Sequence, residues 1–311
     1  MSDYRHIYRG NVDSWECDTM GHLNIQFYTA KLTSGMAQLR AMLGMTPDHM
    51  RRNGHAMVAT RCFSRYLREL HAGDIVNIDV GLLRVDDRRV DFVAELCDAH
   101  SGGVSASFEI TCVSFDLEAR RAVPWPDQVR GRIEGLLTER RDRPRPPTAG
   151  GPVPAVKGDP ATPFITARGA VAAWECDQLG HMSAHLYYSR ASDGIGHIRH
   201  RMGITQEITR RHHWGGAALE YDVRFLAEMA AGDIYSLRSG LLDLADKTFR
   251  FGHCLHNDST GEISATFDVV ACMFDLQARR AMPIPDEVRA RAEGLMIPWP
   301  PSEWTEARAA E

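Results

Sequence analysis

The chain has 311 residues, of which 44% are hydrophobic, and its 36 basic and 41 acidic side chains give a formal net charge of −5. This length predicts about two domains, and the slight acidity argues against a nucleic-acid partner, because nucleic-acid binders usually present a basic face that neutralises phosphates. Seven cysteines without a Cys-x-x-Cys pair fit neither a disulfide framework nor a structural zinc site, so we expect reduced thiols.

The N-terminal segment carries charges throughout and lacks the apolar core of a secretory signal. No apolar run approaches the ~18 residues that a membrane-spanning helix would need. We therefore expect a cytoplasmic protein without a membrane partner.

The elements of the first half follow from the spacing of its apolar residues. A strand is predicted at about residues 5–15 and a long helix at about 24–43. Along that helix, the apolar residues with helical spacing are Tyr28, Leu32, Met36, Leu39 and Leu43. Roughly four strands are expected from there to residue 117, because apolar and polar residues alternate after Gly73-Asp74 and again from Val104. A short helix is predicted after Pro126.

The second half repeats the first at a constant offset of 159 residues. The matching segments include Trp15-Glu16-Cys17-Asp18 with Trp174-Glu175-Cys176-Asp177, and Gly21-His22 with Gly180-His181. A repeat of this length indicates two copies of one domain rather than a solenoid. We predict an N-terminal domain at 1–141, a semi-rigid Pro- and Gly-rich linker at 142–163 and a C-terminal domain at 164–311.

The segment from Trp15 to Tyr28 is the best candidate for chemistry. An acidic residue, Asp18, is predicted at the end of a strand, and a glycine turn leads from it into the long helix. The first N–H groups of a helix have no partner within the helix and carry partial positive charge, so they can hold a developing oxyanion. A carboxylate and an oxyanion hole would then face the same space.

The pattern D-x-x-G-H-x-N-x-x-x-Y, followed by F-S-R-Y-L and A-G-D, resembles the hotdog-fold acyl-CoA thioesterases of the 4-hydroxybenzoyl-CoA thioesterase type. The resemblance covers both copies. It implies an α+β fold, a tandem double hotdog in which each unit is a five-stranded antiparallel sheet wrapped around one long helix. It also implies that the two copies replace the usual homodimer, with active sites at their seam.

The resemblance assigns the catalytic role to Asp18, as nucleophile on the thioester or as general base for water, and the residues alone leave both routes open. Glu16, expected on the same strand face, would raise the pKa of Asp18. The catalytic set implied by the resemblance is Asp18, Gly21, His22 and Asn24, with Asp177, Gly180, His181 and Ser183 in the second copy. The substitution of Asn24 by Ser183 makes the first site the better candidate.

Several of these residues have a simpler explanation. Asn24 and Ser183 are both good helix N-caps, and His22 and His181 can be buried hydrogen-bonding residues. The residues expected to contact the substrate are Tyr28, Arg65, Tyr187 and Arg224. The two arginines can bind the phosphates of coenzyme A or be solvated strand residues.

No metal or redox cofactor is expected, and coenzyme A enters only as part of the substrate. Histidine spacings such as His197-x-x-His200 and His253-x-x-His256 are not repeated in the first copy, which argues against a metal site. The predicted function is hydrolysis of an acyl-CoA to a free acid and CoA. The alternatives are a hotdog enoyl- or hydroxyacyl-thioester hydratase or dehydratase, and a non-catalytic acyl-CoA binding module. A homo-oligomer of double-hotdog chains is a further expectation.

Overall fold

The computed structural model describes residues 4–141, 145–156 and 159–300. They belong to two compact units, Met1–Pro146 and Pro147–Glu311, so the second unit includes most of the segment predicted as a linker.

The first unit follows the predicted order of one strand, one long helix and four further strands. Its strands are β1 (Arg5–Asn11), β2 (His55–Tyr66), β3 (Ile75–Val85), β4 (Arg89–Asp98), β5 (Val104–Asp116) and the short β6 (Arg121–Ala122). Its helices are α1 (Ile25–Met42), α2 (Pro47–Asn53) and α3 (Asp127–Glu134).

The second unit repeats this order. Its strands are β7 (Phe164–Ala170), β8 (Trp214–Phe225), β9 (Ile234–Leu244), β10 (Thr248–Asn257), β11 (Ile263–Asp275) and the short β12 (Arg280–Ala281). Its helices are α4 (Ala184–Arg201), α5 (Gln206–His212) and α6 (Asp286–Glu293).

Each unit is one antiparallel sheet with a long helix packed against it. The strand order is β1-β3-β4-β5-β2 in the first unit and β7-β9-β10-β11-β8 in the second. The predicted apolar stripe of α1 is confirmed as the buried face: Tyr28, Leu32, Met36 and Leu39 are all buried. This is the predicted α+β architecture, because the stripe and the alternating strand residues form one core between the helix and the sheet.

Two local predictions differ from the structure. The first strand ends at Asn11, and residues Ser14–Glu16 form a 3-10 turn, so Asp18 does not end a strand. Helix α2 was not expected, because seven residues are too few to show an apolar period and only Met50 is buried. Its local signals are Thr46, whose hydroxyl caps the N-terminus, and Gly54, which ends it with φ of 59°.

Part of the predicted linker is fixed to the second unit. We name residues 148–152 the strap. Glu220 Oε2 accepts hydrogen bonds from the N–H groups of Thr148 and Ala149 at 2.7 and 3.1 Å. Arg250 donates to the carbonyl oxygens of Gly151 and Pro152, both at 2.8 Å. The strap is therefore held by side chains of β8 and β10 rather than by proline stiffness alone. Residues 142–144 and 157–158 of the predicted linker lie outside the described residues.

Within the described ranges, 4–141, 145–156 and 159–300, no helix is both long enough and apolar enough to cross a membrane.

Candidate active site

The residues between the 3-10 turn and α1 form a tight hydrogen-bonded loop, which we name the Asp18 turn (residues 18–23). The N–H of Asp18 donates to the carbonyl of His22 at 2.9 Å, and the N–H of Gly21 donates to the carbonyl of Asp18 at 3.0 Å. Gly21 has φ of +81°, a left-handed conformation that glycine adopts without the steric cost of a Cβ atom. The glycine is thus needed for the reversal that brings residues 18 and 22 together.

The carboxylate of Asp18 is held in two places. Its Oδ1 accepts a hydrogen bond from the N–H of Met20 at 2.8 Å, and its Oδ2 lies 3.3 Å from Nδ1 of His22. The side chain of Asp18 is 23% exposed, so the carboxylate is fixed yet reachable from solvent. Asp18, Gly21 and His22 are brought together as the sequence predicts.

Helix α1 begins directly after the Asp18 turn. Asn24 is its N-cap, because Asn24 Oδ1 accepts from the N–H of Gln26 at 3.1 Å. The N–H groups of Leu23 and Asn24 are already used, since they donate to the carbonyls of Leu70 at 2.7 Å and Glu16 at 3.0 Å.

The start of the helix therefore offers fewer oxyanion donors than expected, because the N–H groups of Gly21, Leu23 and Asn24 already donate to other carbonyls. Among the described residues, the N–H groups of His22 and Ile25 have no acceptor. These two groups are the free donors at the start of the helix.

Glu16 does not face Asp18, and this expectation was wrong. Glu16 is buried, and its two carboxylate oxygens accept hydrogen bonds from Nζ of Lys31 at 2.8 and 2.7 Å. Lys31 also donates to the carbonyl of Asn11 at 2.8 Å, and Glu16 accepts from the N–H of Asp13 at 2.9 Å. Glu16 lies in a 3-10 turn rather than in a strand, so it does not share a strand face with Asp18. The buried ion pair instead ties the 3-10 turn to α1.

The predicted substrate residues of the first unit are placed differently. Tyr28 is buried in the core, its hydroxyl donates to the carbonyl of Arg68 at 3.4 Å, and burial raises the pKa of the phenol. Tyr28 is therefore a core residue of the first unit. Arg65 Nη2 donates to the carbonyl of Arg145 at 2.9 Å, so at least part of its guanidinium serves the chain itself.

The second unit repeats the turn with altered contacts. Asp177 Oδ1 accepts from the N–H groups of Leu179 at 2.8 Å and His181 at 3.4 Å. His181 Nε2 lies 3.3 Å from Glu228 Oε2, whereas in the first unit His22 faces Asp18. Asp177 is also exposed, whereas Asp18 is partly buried. Gly180 keeps the left-handed conformation, with φ of +82°.

The other residues predicted for the second site are Ser183, Tyr187 and Arg224. Ser183 is the N-cap of α4 but makes no side-chain capping hydrogen bond, unlike Asn24. Tyr187 is buried, like Tyr28. Arg224 lines a cleft of about 220 Å³ beside the strap, where its Nε lies 3.7 Å from Asp222 Oδ2.

The sequence motif did not predict the buried ion pair, although both units contain it. Arg190 occupies the position of Lys31 and pairs with Glu175, the counterpart of Glu16. The signal was present: Lys31 lies three positions after the buried Tyr28, on the buried side of the helix, and a cation recurs at the matching position of the second copy.

No group of three or more potential metal ligands occurs in the part of the chain that the structure describes. His253 is buried and its Nδ1 is 2.8 Å from Ser239 Oγ, which is the contact of a core histidine. Burial also raises the pKa of the Cys17 thiol, so Cys17 is a protonated, packed thiol near the turn.

The model of the Thioesterase-like superfamily matches residues 12–133 and again residues 171–292. The chain belongs to this superfamily. The two matches confirm the predicted family and the tandem double-hotdog fold, and they support the predicted class, a thioester hydrolase.

Two curated proteins share sequence with the chain. A betainyl-CoA thioesterase from Pseudomonas aeruginosa is 27% identical over 133 residues, which are 43% of this chain and 84% of that protein. An L-carnitine dehydrogenase/betainyl-CoA thioesterase from Rhizobium meliloti is 29% identical over 83 residues, which are 27% of this chain and only 17% of that longer protein.

Two solved structures have a similar fold over most of the chain. An acyl-ACP thioesterase from Bacteroides thetaiotaomicron has a TM-score of 0.61 at 13% identity, covering 86% of this chain and 98% of that one. A 12:0-ACP thioesterase from Umbellularia californica has a TM-score of 0.65 at 12% identity, covering 87% and 94%.

Proposed function

We propose that the chain is an acyl-CoA thioesterase that hydrolyses R–CO–S–CoA to a free acid and CoA at the Asp18 turn. One observation carries the proposal. The carboxylate of Asp18 and the acceptor-free N–H of His22 belong to the Asp18 turn, and the acceptor-free N–H of Ile25 belongs to the first residue of the 18-residue helix that follows. A nucleophile or base and an oxyanion-binding pair are the groups that thioester hydrolysis requires.

In the proposed reaction, the thioester carbonyl oxygen accepts hydrogen bonds from the N–H groups of His22 and Ile25. Asp18 Oδ2 either attacks the carbonyl carbon, giving a mixed anhydride that water then hydrolyses, or removes a proton from the attacking water. In both routes the C–S bond breaks, and the CoA thiolate takes up a proton. The hydrogen bond from Met20 fixes Oδ1, and Oδ2, which lies 3.3 Å from His22 Nδ1, is the oxygen that we propose reacts.

For the substrate we propose an acyl thioester of coenzyme A, and we rank betainyl-CoA first because the Pseudomonas aeruginosa relative is named for it. No redox or metal cofactor enters the proposed reaction. We also propose that the chain is cytoplasmic and that double-hotdog chains self-associate, which sedimentation velocity of the purified protein would test.

The test is CoA release from a panel of acyl-CoAs by the wild type and by Asp18→Asn. We expect the variant to lose activity by roughly a hundredfold or more, because an amide is a poor nucleophile and base. Its circular dichroism should remain that of the wild type, since the amide oxygen can still accept from Met20.

Asp177→Asn is the matched variant of the second unit, and we expect it to keep most of the activity because His181 contacts Glu228 there. Full activity of Asp18→Asn would refute the mechanism. A change in enoyl absorbance without CoA release would instead support a hydratase, and tight binding without turnover would support a binding module.

A further inference from the structure

An exposed aromatic ring lies at the start of the Asp18 turn. Trp15, in the 3-10 turn three positions before Asp18, is 69% exposed. Its ring meets Phe27 edge to face, with centroids 5.4 Å apart and planes at 85°. Phe27 belongs to the first turn of α1, and its N–H donates to the carbonyl of Asn24 at 2.9 Å. Trp15 therefore lies against a side chain of the first turn of α1, the helix at whose N-terminus the thioester is proposed to bind.

The same exposure recurs in the second unit. Trp174 has the position of Trp15 and is 88% exposed. The two copies differ at neighbouring positions, since Asp13 is replaced by Ala172 and Phe27 by Leu186. Both units therefore present an exposed indole ring three positions before the aspartate of the turn.

The loop after β2 is acidic and approaches the segment that follows Trp15. Burial and, to a lesser extent, the charges of Asp18 and Asp74 raise the pKa of the Cys17 thiol. Leu70, whose carbonyl accepts from Leu23, lies between Glu69 and Asp74 in the loop that follows β2. The neighbouring cation, Arg68, is directed towards Gly103. In the second unit the carboxylates recur as Glu228 and Asp233, and Arg68 is replaced by Ala227.

Glu69 lies 4.0 Å from His71, whereas Asp18 and Asp74 act on Cys17, two positions after Trp15, and give this surface a negative charge. It repels the phosphates of coenzyme A and attracts a cation, so it suits the acyl end of the substrate. An aromatic face binds a cation well when that cation is weakly hydrated, and a quaternary ammonium has no N–H groups to donate to water or to carboxylates.

We propose that Trp15 contacts the acyl group of the substrate and selects an acyl group that ends in a quaternary ammonium. The inference rests on the proposed thioesterase function at Asp18 and assigns its specificity to the Trp15 ring and the adjacent carboxylates.

The test compares two substrates that differ only in charge, betainyl-CoA and its neutral isostere 3,3-dimethylbutanoyl-CoA. We expect the wild type to have the higher kcat/KM for betainyl-CoA. Trp15→Leu should reduce this preference by roughly three- to thirtyfold, mainly through KM, because the ring attraction is lost while the apolar contact is kept. Trp15→Phe should retain most of the preference.

Met42→Ala is the control, because Met42 is an exposed apolar residue at the opposite end of α1. It should leave the preference unchanged. The affinities of thioether analogues of both substrates, measured by calorimetry, give a readout that does not depend on turnover.

The inference is overturned if the wild type hydrolyses both substrates with equal kcat/KM, or if Trp15→Leu leaves the ratio unchanged. A shift of the oligomeric state in Trp15→Leu with an unchanged ratio would assign the ring to contact with a second copy instead. If no acyl-CoA is hydrolysed but the cationic analogue binds more tightly in a Trp15-dependent manner, the thioesterase proposal fails and the Trp15 contact stands.

Discussion

Lys31 donates hydrogen bonds to both carboxylate oxygens of Glu16, and the two side chains are only 5% and 7% exposed. The pair connects the 3-10 turn that follows β1 to α1, next to the proposed catalytic loop. Because the carbonyl of Glu16 also accepts from the N–H of Asn24, the ion pair fixes both ends of the segment that contains Asp18.

Replacing Lys31 by Met is expected to destabilise the first unit by about 3–5 kcal/mol, because Glu16 would be left as a buried charge without its partner. The free energy of unfolding from urea titration measures the effect. The double variant Glu16→Gln with Lys31→Met should recover part of the loss, since no buried charge remains. Equal destabilisation by the single and double variants would contradict this explanation.

The two helix caps give a matched pair of variants. Asn24→Ala should cost about 1 kcal/mol, because it removes the oxygen that accepts from Gln26. Ser183→Ala should cost much less, since Ser183 makes no side-chain capping bond. Urea midpoints of the two variants check this difference. A loss in Ser183→Ala as large as that in Asn24→Ala would show that the capping bond is not the cause.

Stability should fall in acid through His253. Burial lowers the pKa of His253 from 6.5 to about 4 in the folded state. The unfolded chain therefore binds a proton at a higher pH than the folded chain does, and the free energy of unfolding decreases as the pH falls from about 6.5 towards 4. Above that window this residue contributes no pH dependence.

The integrated loss is on the order of 3 kcal/mol, because one pKa unit corresponds to about 1.4 kcal/mol. The measurement is the thermal midpoint between pH 7 and pH 4.5. His253→Asn keeps a polar partner for Ser239 but cannot titrate, so its midpoint should depend less on pH. An identical pH profile in that variant would assign the acid sensitivity to other groups.

Hydrogen exchange of the strap amides should depend on the contacts that Arg250 of β10 and Asp268 of β11 make with the strap. Asp268 Oδ2 accepts from the N–H of Gly150 at 2.7 Å and from Nη2 of Arg250 at 2.6 Å. Arg250→Met removes the donors to Gly151 and Pro152 and leaves Asp268 without its ion pair. We expect faster hydrogen exchange at residues 148–150, measured by mass spectrometry, while α1 of the first unit keeps its protection. Unchanged exchange in the strap would show that Arg250 does not hold it.

The element order was predictable because the repeat tests each periodic pattern twice. Apolar residues repeat with the helical period in α1 and with a period of two in β3 and β5. Both predictions are confirmed. The Asp18 turn was also visible, since Gly21 and a cap residue at position 24 are local signals. The 3-10 turn at Ser14–Glu16 was not, because three residues show no period.

The side-chain partners were harder to predict than the elements. The sequence places Glu16 near Asp18, but the direction of its side chain depends on Lys31, fifteen positions away on a helix. Likewise, the hydroxyl of Tyr28 finds its acceptor at the loop carbonyl of Arg68, and the strap is held by Glu220 and Arg250 far along the chain. Such contacts arise from tertiary packing, which spacing alone does not encode.

The different histidine partners, Asp18 for His22 and Glu228 for His181, have a consequence for how this protein can change. In a homodimer, one gene encodes both subunits, so a single mutation changes both copies of a site. Here separate codons of one gene encode the two turns. One copy can keep its chemistry while the other drifts, acquires a new ligand or is redesigned in the laboratory without altering its twin.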